Sequence, residues 1–395
     1  MSEVHKNKLL IAAAGSGKTR YLVEQAFNTP TTEKVLISTY TRSNAQEIKD
    51  RLREKNRDKT GQDIVPSNIL VEEWFTFLLR HGVRPFKATM DKRLKYKRIG
   101  FKLSNVRSGA KNKDKNIYWG EEENLLRFYF GKNYRIFSDK ISKFIYVCNE
   151  KTEGGFTDRI STYFDKIFID EVQDLAGWDL EIVKLFFESR SNVELVGDPR
   201  QTVYLTNHAA KHPNYKNGKI DDFVKEKCKK CNVAFDSESL NRTHRNDHKI
   251  ASFSSKLYPT YKQTVSCDCA ECRTLTPKQR GVYVIREDDI EDLLKIDTGL
   301  ETKVLRFKNS NKEEMNFGLA KGLTFDRVII YPTDSIVDWI KGGDDLKDTT
   351  RAKFYVALTR SRYSSFIVCD YLNKENFIDG IGFFTEKDTQ TCLFV

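Results

Sequence analysis

A glycine-rich segment near the start of the chain constrains its fold most strongly. Residues 12–19 read Ala-Ala-Ala-Gly-Ser-Gly-Lys-Thr, between an apolar run at 9–14 and a helical stretch at 20–27. A strand, a glycine turn and a helix in this order form a loop whose backbone N–H groups cradle phosphate. We expect Lys18 to reach the β- and γ-phosphates of ATP and Thr19 to ligate Mg²⁺. The predicted phosphate-binding residues are Ala14, Gly15, Ser16, Gly17, Lys18 and Thr19.

An acidic pair follows a second apolar run, Lys166–Ile169. Asp170 and Glu171 stand at the end of a predicted strand, where the loops of a parallel α/β sheet form the ligand crevice. Asp170 would hold Mg²⁺ through its water shell, and Glu171 would orient or deprotonate the attacking water. Because such a cluster alone is more often a helix N-cap and a solvated turn, this prediction depends on Lys18.

Short β-like runs alternate with longer amphipathic stretches along the chain. The runs fall into two sets, at 9–14, 35–40, 166–169 and 193–196 and at 281–285, 304–307, 327–331 and 365–370. This pattern predicts an α/β fold in which two parallel sheets are covered by helices. We predict a first lobe at 1–84 and 157–205, an inserted subdomain at 85–156 and a second lobe at 206–395, with the lobe boundary near 203–228.

The net charge of +11 is concentrated in one arm of the chain. Residues 87–116 hold eleven Lys or Arg residues against Asp91 and Asp114, and Tyr96 and Phe101 lie among the bases. This composition suits phosphate contacts with base stacking, and a solvated, partly disordered loop is the alternative. It favours nucleic acid as the partner.

The chain shows neither a signal-peptide core nor an apolar run of about 18 residues, so we expect a cytoplasmic protein without a membrane partner. Its eight cysteines are too few for a disulfide framework. Cys228 pairs with Cys231, and Cys269 with Cys272, in two Cys-x-x-Cys spacings, and Cys267 is an alternate ligand. These spacings suit a structural Zn²⁺ over 228–272; a reduced cluster without a ligand and a redox role are the alternatives.

Segments in chain order resemble the UvrD/Rep group of superfamily 1 DNA helicases. They are residues 12–19, 38–45, 74–79, 170–174, 197–204, 240–245, 316–326 and 354–362. The resemblance extends from about residue 9 to residue 370 and implies two RecA-like lobes of a P-loop NTPase. It implies ATP and Mg²⁺ as cofactors and single-stranded or tailed duplex DNA as the partner.

The resemblance also implies roles for single residues. Gln201 would sense the γ-phosphate, Arg245 and Arg360 would clamp it from the second lobe, and His244 would stack on adenine. The residues matched to strand contact are Thr39, Tyr40, Thr41, Arg42, Trp74, Phe75, Tyr204 and Lys321. Without the family, Trp74 and Phe75 are more often core residues.

The chain departs from the family pattern at several positions. No glutamine precedes Leu9, His244 replaces a tyrosine, Gly318 a histidine and Thr324 a glutamate, and 205–207 replace an aromatic–arginine pair. The spacing from Arg245 to Lys321 leaves no room for the large second inserted domain of longer relatives. Contacts with the bases of single-stranded DNA must therefore come from other residues.

These features predict an ATP-dependent 3′–5′ single-stranded DNA translocase or helicase. The alternative is an ATP-switched accessory module that acts with a partner nuclease, in antiphage defence or repair, without processive unwinding. A DNA-binding protein without catalysis is disfavoured by Lys18, Glu171, Arg245 and Arg360 together. The sequence has no nuclease signature, so any cutting would need a partner.

Overall fold

The computed structural model describes residues 7–104, 108, 111–112, 117–206, 211–272, 274, 277–296, 299–308, 314–371 and 377–384. Contacts divide the chain into two compact units. The first comprises Met1–Leu10, Lys18–Pro199 and Leu205–Asp236, and the second Ile11–Gly17, Arg200–Tyr204 and Ser237–Val395. Each contains a six-stranded sheet, so the predicted α/β fold with two RecA-like lobes is confirmed.

The first unit is built on a sheet of short strands. Their order across the sheet is Val233–Asp236, Asn7–Ile11, Asn192–Gly197, Lys166–Ile169, Val35–Thr39 and Ile69–Glu73. The strand Val35–Thr39, next to the edge strand Ile69–Glu73, pairs in parallel with both of its neighbours and is buried along its whole length. A strand covered by helices on both faces needs such a continuous apolar run, which is why the sequence reveals it.

Helices accompany this sheet and its insertion in the first unit, and one of them shows clearly why it begins and ends where it does. The helices are Lys18–Phe27, Arg42–Thr60, Trp74–Phe77, Arg84–Met90, Leu125–Tyr129, Ser138–Lys151, Gly155–Tyr163, Trp178–Glu188 and Ile220–Lys227, with a π-helical turn at Leu78–Val83. Thr41 caps Arg42–Thr60 by accepting the Asn44 N–H at 3.2 Å, and Gly61 ends it at a φ of +77°. Within the described residues, no helix combines the length and the apolar character that crossing a membrane requires.

The basic insertion belongs to the first unit. It contains two small sheets: Gly100–Lys102 pairs in parallel with Arg135–Phe137, and Lys111–Asn112 pairs antiparallel with Ile117–Tyr118. Residues 105–107, 109–110 and 113–116 of the predicted basic arm lie outside the described residues. The long helix Ser138–Lys151 buries Ile141, Phe144 and Ile145. The Phe144 ring packs against Tyr129 of the insertion, and the Ser142 hydroxyl donates to Asp179 of the helix Trp178–Glu188, so the insertion packs both within itself and against the rest of the first unit.

The second unit is built on a sheet whose strands are all parallel. Their order is Met315–Asn316, Thr302–Arg306, Phe325–Tyr331, Ser361–Val368, Gly281–Ile285 and Ile381–Phe383. Its helices are His248–Ser255, Ile290–Lys295, Asp334–Ile340 and Asp348–Leu358, and a separate parallel pair joins Arg242–Thr243 to Val265–Ser266. Side chains from the sheet and these helices, among them Val284, Ile330 and Phe354, form the main core.

The structure differs from the sequence prediction at the boundary between the lobes. Residues 205–236 belong to the first unit, because Val233–Asp236 pairs in parallel with the strand that begins at Asn7. The boundary therefore lies beyond the predicted 203–228. Residues 12–14, predicted to end the first strand, instead start the glycine-rich loop.

Candidate functional site

The glycine-rich loop has a backbone conformation that only glycine adopts readily. Gly15 has a φ of +70° and Gly17 a φ of +82°, values in the left-handed region that disfavour side chains. Between them Ser16 is buried, and among the described residues its hydroxyl has no hydrogen-bond partner. A buried hydroxyl without a partner needs an explanation, and a ligand bound at this loop would supply one.

Residues after Leu240 hold this loop within the second unit. The Ala13 N–H donates to the Leu240 carbonyl at 2.7 Å, and the His244 N–H donates to the Gly15 carbonyl at 2.8 Å. A Cβ atom added at Gly15 would lie 2.6 Å from the Arg245 Cβ. The loop therefore depends on glycine for its packing as well as for its backbone conformation.

Sequence reasoning missed a buried arginine that supports the same loop. The guanidinium of Arg200 donates to the Ala12 carbonyl at 2.9 Å and to the Thr264 hydroxyl at 3.2 Å. It also lies over the Tyr355 ring, 5.2 Å from the centroid. Its position next to Gln201 in the Gly-Asp-Pro-Arg-Gln segment was the available signal.

Lys18 and the acidic pair lie at the same edge of the first sheet. Lys18 starts the helix that follows the strand ending at Ile11, and Asp170 follows the strand Lys166–Ile169. Both groups therefore follow the ends of strands of one sheet, which is the position where open α/β sheets bind their ligands. Asp170 is buried, and its N–H donates to the Ser38 carbonyl at 2.8 Å.

The backbone of Glu171 is in the left-handed region, at a φ of +54°. This conformation costs about 1–3 kcal/mol in a residue other than glycine and is typical of functional sites. The Gln173 side-chain amide donates to the Glu171 carboxylate, and its oxygen accepts the Asp198 N–H at 3.1 Å. A Cβ atom at Gly197 would lie 2.4 Å from that oxygen. Gln173 therefore fixes the Glu171 carboxylate relative to the next strand end.

The structure brings three of the predicted site residues, Gln201, Arg245 and Arg360, together in the second unit. Arg360 is almost fully buried, and its guanidinium donates to the Gln201 side-chain oxygen at 2.8 Å and to the Leu323 carbonyl at 3.2 Å. Arg245 donates to the Thr359 carbonyl at 3.2 Å. The predicted γ-phosphate sensor and clamp residues thus form one hydrogen-bonded cluster that reaches the segment after Lys321.

Several residues matched to strand contact lie elsewhere than predicted. Thr39, Trp74 and Phe75 are buried in the first unit, so the structure corrects the prediction that they touch a strand. Aromatic packing explains the burial of the two rings. Trp74 packs edge-on against Phe186 with ring centroids 6.3 Å apart, and Phe75 packs edge-on against Tyr40 with ring centroids 5.7 Å apart.

The other matched residues remain accessible. The exposed hydroxyl of Thr41 caps the following helix, and Arg42 forms an exposed ion pair with Glu73 at 3.5 Å. Lys321 is partly buried. Tyr204 is about half exposed, and a Cβ atom added at Gly318 would lie 2.6 Å from its hydroxyl. The histidine of the family at that position is therefore incompatible with this Tyr204 conformation.

The basic insertion presents an exposed aromatic ring among lysines. Tyr96 is 87% exposed, and the Lys95 ammonium lies 5.3 Å from its ring centroid. Lys97 lies over the neighbouring ring of Tyr134 at 5.1 Å. Such alternation of cations and exposed rings suits a single strand, because every base offers a face for stacking.

The predicted zinc ligands fall in different units. Cys228 and Cys231 belong to the first unit, where burial raises the pKa of the Cys228 thiol to about 12. Cys269 and Cys272 belong to the second unit, and the Cys272 sulfur lies 3.5 Å from Nδ1 of His244. The side chain predicted to stack on adenine is thus in contact with a cysteine.

Comparisons with known proteins agree with this geometry. A family model described as an AAA domain matches residues 2–207, just over half of the chain. A probable DNA helicase II homolog from Mycoplasma capricolum subsp. capricolum is 25% identical over 245 residues, which cover 51% of this chain and 33% of that protein. The chain thus aligns with a third of that relative's length.

Solved structures of viral helicases were also found. The arterivirus nonstructural protein 10 helicase is 14% identical to this chain, with a TM-score of 0.44. The alignment covers 93% of this chain and 60% of the viral helicase chain. The PRRSV helicase is 13% identical with a TM-score of 0.42, covering 95% and 55%. The family match and the curated relative agree with the resemblance to UvrD/Rep-like helicases, and by the extent of the family match this chain belongs to the AAA domain family.

Proposed function

We propose that this protein is an ATP-hydrolysing motor that moves along single-stranded DNA in the 3′–5′ direction. One observation carries the proposal: Gln173 holds the Glu171 carboxylate at the sheet edge where the Lys18 helix begins. A carboxylate fixed beside a phosphate-binding helix can orient the water that attacks the γ-phosphate.

Each group in the nucleotide site has a separate task. The N–H groups of residues 14–17 and the Lys18 ammonium would bind the phosphates, since both carry positive charge toward the ligand. Thr19 and Asp170 would hold Mg²⁺, and Glu171 would act on the attacking water. Of these residues, Ala14, Ser16 and Asp170 are buried, so this part of the site is held in place by packing before nucleotide binds.

Arg360 is the residue through which nucleotide state would reach the strand. Its guanidinium bonds to Gln201, the proposed γ-phosphate sensor, and to the carbonyl of Leu323, two residues from Lys321. A shift of Gln201 on hydrolysis would therefore move the Arg360 guanidinium, which is also bonded to the Lys321 segment. Arg245 would add a second positive charge near the phosphates.

Replacing Glu171 with glutamine is expected to slow ATP hydrolysis by about 10²–10⁴-fold, the usual contribution of a general base. Nucleotide binding should remain, because the amide preserves the shape of the side chain and can still contact Gln173. Steady-state hydrolysis and equilibrium binding of a fluorescent ATP analogue would measure the two effects. The exposed Glu188 provides a matched control, since Glu188→Gln should change neither. Hydrolysis by the Glu171 variant at the wild-type rate would contradict the assigned role.

The basic insertion would bind the single-stranded DNA. Tyr96→Ala is expected to weaken single-stranded DNA binding by about 5- to 150-fold, because base–aromatic stacking contributes about 1–3 kcal/mol per base. Tyr163 is a matched control, as it is also an exposed tyrosine beside a cation, with Arg159 4.7 Å from its ring centroid. Fluorescence anisotropy with a labelled oligonucleotide measures both. Equal affinity of the two variants would mean that the strand does not contact Tyr96.

One observation favours the second candidate function, an ATP switch that works with a partner nuclease. Thr206 lies where the family has its stacking pair, but its hydroxyl is buried and bonded to Asp179. The site therefore offers no base-stacking group at this position. Displacement of streptavidin from biotin at either end of an oligonucleotide separates the two functions. Faster displacement from the 5′ end supports a 3′–5′ motor, whereas ATP hydrolysis without displacement from either end supports the switch.

A further inference from the structure

A group of sulfur and nitrogen atoms in the second unit has the arrangement of a metal site. Nδ1 of His244 lies 3.5 Å from the Cys272 sulfur, and the Cys267 sulfur lies 3.4 Å from the Cys269 sulfur. Ligand atoms of His244, Cys267 and Cys272 all lie within 4.8 Å of one another. Tetrahedral zinc with ordinary bond lengths places two sulfurs about 3.8 Å apart and a sulfur about 3.5 Å from a nitrogen. The 3.5 Å and 3.4 Å distances are close to these values, and Cys269, which is not one of the group of three, adjoins it through Cys267.

The backbone builds this group from two neighbouring segments. Thr243 and Ser266 are partners in a parallel strand pair, so the residues that follow them, His244 and Cys267, leave the pair side by side. The Cys267 N–H donates to the Thr243 carbonyl at 2.8 Å and secures this register. The backbone register therefore places His244 and Cys267 next to each other.

A tight turn supplies the remaining sulfurs. The Cys272 N–H donates to the Cys269 carbonyl at 3.0 Å, which closes the Cys-x-x-Cys segment into the kind of turn that presents two thiolates to one ion. Cys267 is buried, Cys272 is partly buried and Cys269 is exposed. An ion could thus enter from the Cys269 side and be enclosed by the others.

We infer that Cys267, Cys269, Cys272 and His244 bind one structural zinc ion. This set replaces the sequence prediction, in which Cys228 and Cys231 completed the site. Four donors of the type that zinc prefers are present within the second unit, so the first unit need not contribute any. The inference also changes the role of His244 from an adenine contact to a metal ligand.

The proposed zinc site is connected to the glycine-rich loop through the backbone of His244. The backbone N–H of His244 donates to the Gly15 carbonyl at 2.8 Å, so a bound metal would fix the residue that holds the loop. As a consequence that rests on the proposed function, zinc removal should weaken ATP binding. The metal content itself is measured without reference to ATP, so the two claims can fail separately.

The test is the zinc content of the full chain, purified under reducing conditions from zinc-supplemented medium and measured by plasma mass spectrometry. We expect one zinc per chain in the wild type and at least about a tenfold reduction in Cys267→Ser and Cys272→Ser, since even outer-shell changes cost 10–100-fold in affinity. The matched control is the double variant Cys228→Ser/Cys231→Ser, which should keep its zinc. Loss of zinc from the control with retention in the other two would overturn the ligand set.

Cobalt substitution gives a second readout that does not depend on a destabilised variant. His244→Cys should keep one metal per chain and, with Co²⁺ in place of zinc, show stronger thiolate-to-cobalt charge-transfer absorption than the wild type, because it adds a sulfur ligand. An unchanged cobalt spectrum would contradict ligation by His244. Wild-type protein that contains no zinc and takes up neither added Zn²⁺ nor Co²⁺, or that carries a disulfide between Cys267 and Cys269, would overturn the site.

Discussion

Replacing Arg360 with methionine is expected to lower strand-stimulated ATP hydrolysis by about 10²–10³-fold, the usual effect of removing one donor that stabilises charge in the transition state. Methionine roughly preserves the length of the side chain but removes the hydrogen bonds to Gln201 and to the Leu323 carbonyl. Both the positive charge and the connection to the Lys321 segment are lost. The measurement is the hydrolysis rate per folded molecule at saturating ATP and DNA.

The same substitution will also lower the stability of the second unit, which must be separated from catalysis. Buried acceptors left without a donor cost about 1–3 kcal/mol each. Arg327 is a matched control, because it is equally buried and donates to the Leu293 and Ile296 carbonyls. Arg327→Met should lower the melting temperature comparably while each folded molecule hydrolyses ATP at the wild-type rate. Equal loss of hydrolysis in both variants would assign the effect of Arg360 to folding alone.

Replacing Gly15 with alanine is expected to abolish measurable ATP binding. The added Cβ would lie 2.6 Å from the Arg245 Cβ and 2.9 Å from the Thr243 hydroxyl, at a φ of +70°. Backbone strain of about 1–3 kcal/mol adds to an overpacking cost of about 1–3 kcal/mol, so the loop must leave its conformation. Isothermal titration with ATP and Mg²⁺ measures the loss.

Gly342 provides a control for the cost of backbone strain without a steric clash. Its φ is +84°, but no atom lies within 4 Å of an added Cβ. Gly342→Ala should therefore cost only the strain and leave ATP affinity unchanged. If Gly15→Ala bound ATP as tightly as the Gly342 variant, the contact of the loop with Arg245 would have no part in forming the site.

The sequence predicted the elements whose residues are buried on both faces. Lys166–Ile169 and Gly281–Ile285 occur as predicted, because a central parallel strand requires a continuous apolar run. Val233–Asp236 was not predicted, since it is a partly exposed strand at the sheet edge and contains no such run. Its pairing with the strand that begins at Asn7 is a long-range contact that no local pattern encodes.

The candidate site was predictable where its chemistry is local in the sequence. The glycine-rich loop and the acidic pair each occupy a few consecutive residues, so the local sequence pointed to the loop and, once Lys18 was recognised, to the acidic pair. The support by Arg200, the bridge by Gln173 and the contact of His244 with Cys272 join segments distant in the chain. Cysteine spacing suggested a metal site but could not choose the ligands, because the deciding register between Thr243 and Ser266 appears only in the folded chain.

The most direct test of the central claim is the rate of ATP hydrolysis by the purified chain, with and without single-stranded DNA, beside a Lys18→Ala variant. Lys18 is the one charged side chain of residues 12–19, and the proposed function assigns it to the phosphates. We predict hydrolysis that single-stranded DNA stimulates, as expected of a motor coupled to DNA, and that Lys18→Ala abolishes. Slow hydrolysis that is indifferent to DNA, or that persists in the Lys18 variant, would contradict the motor.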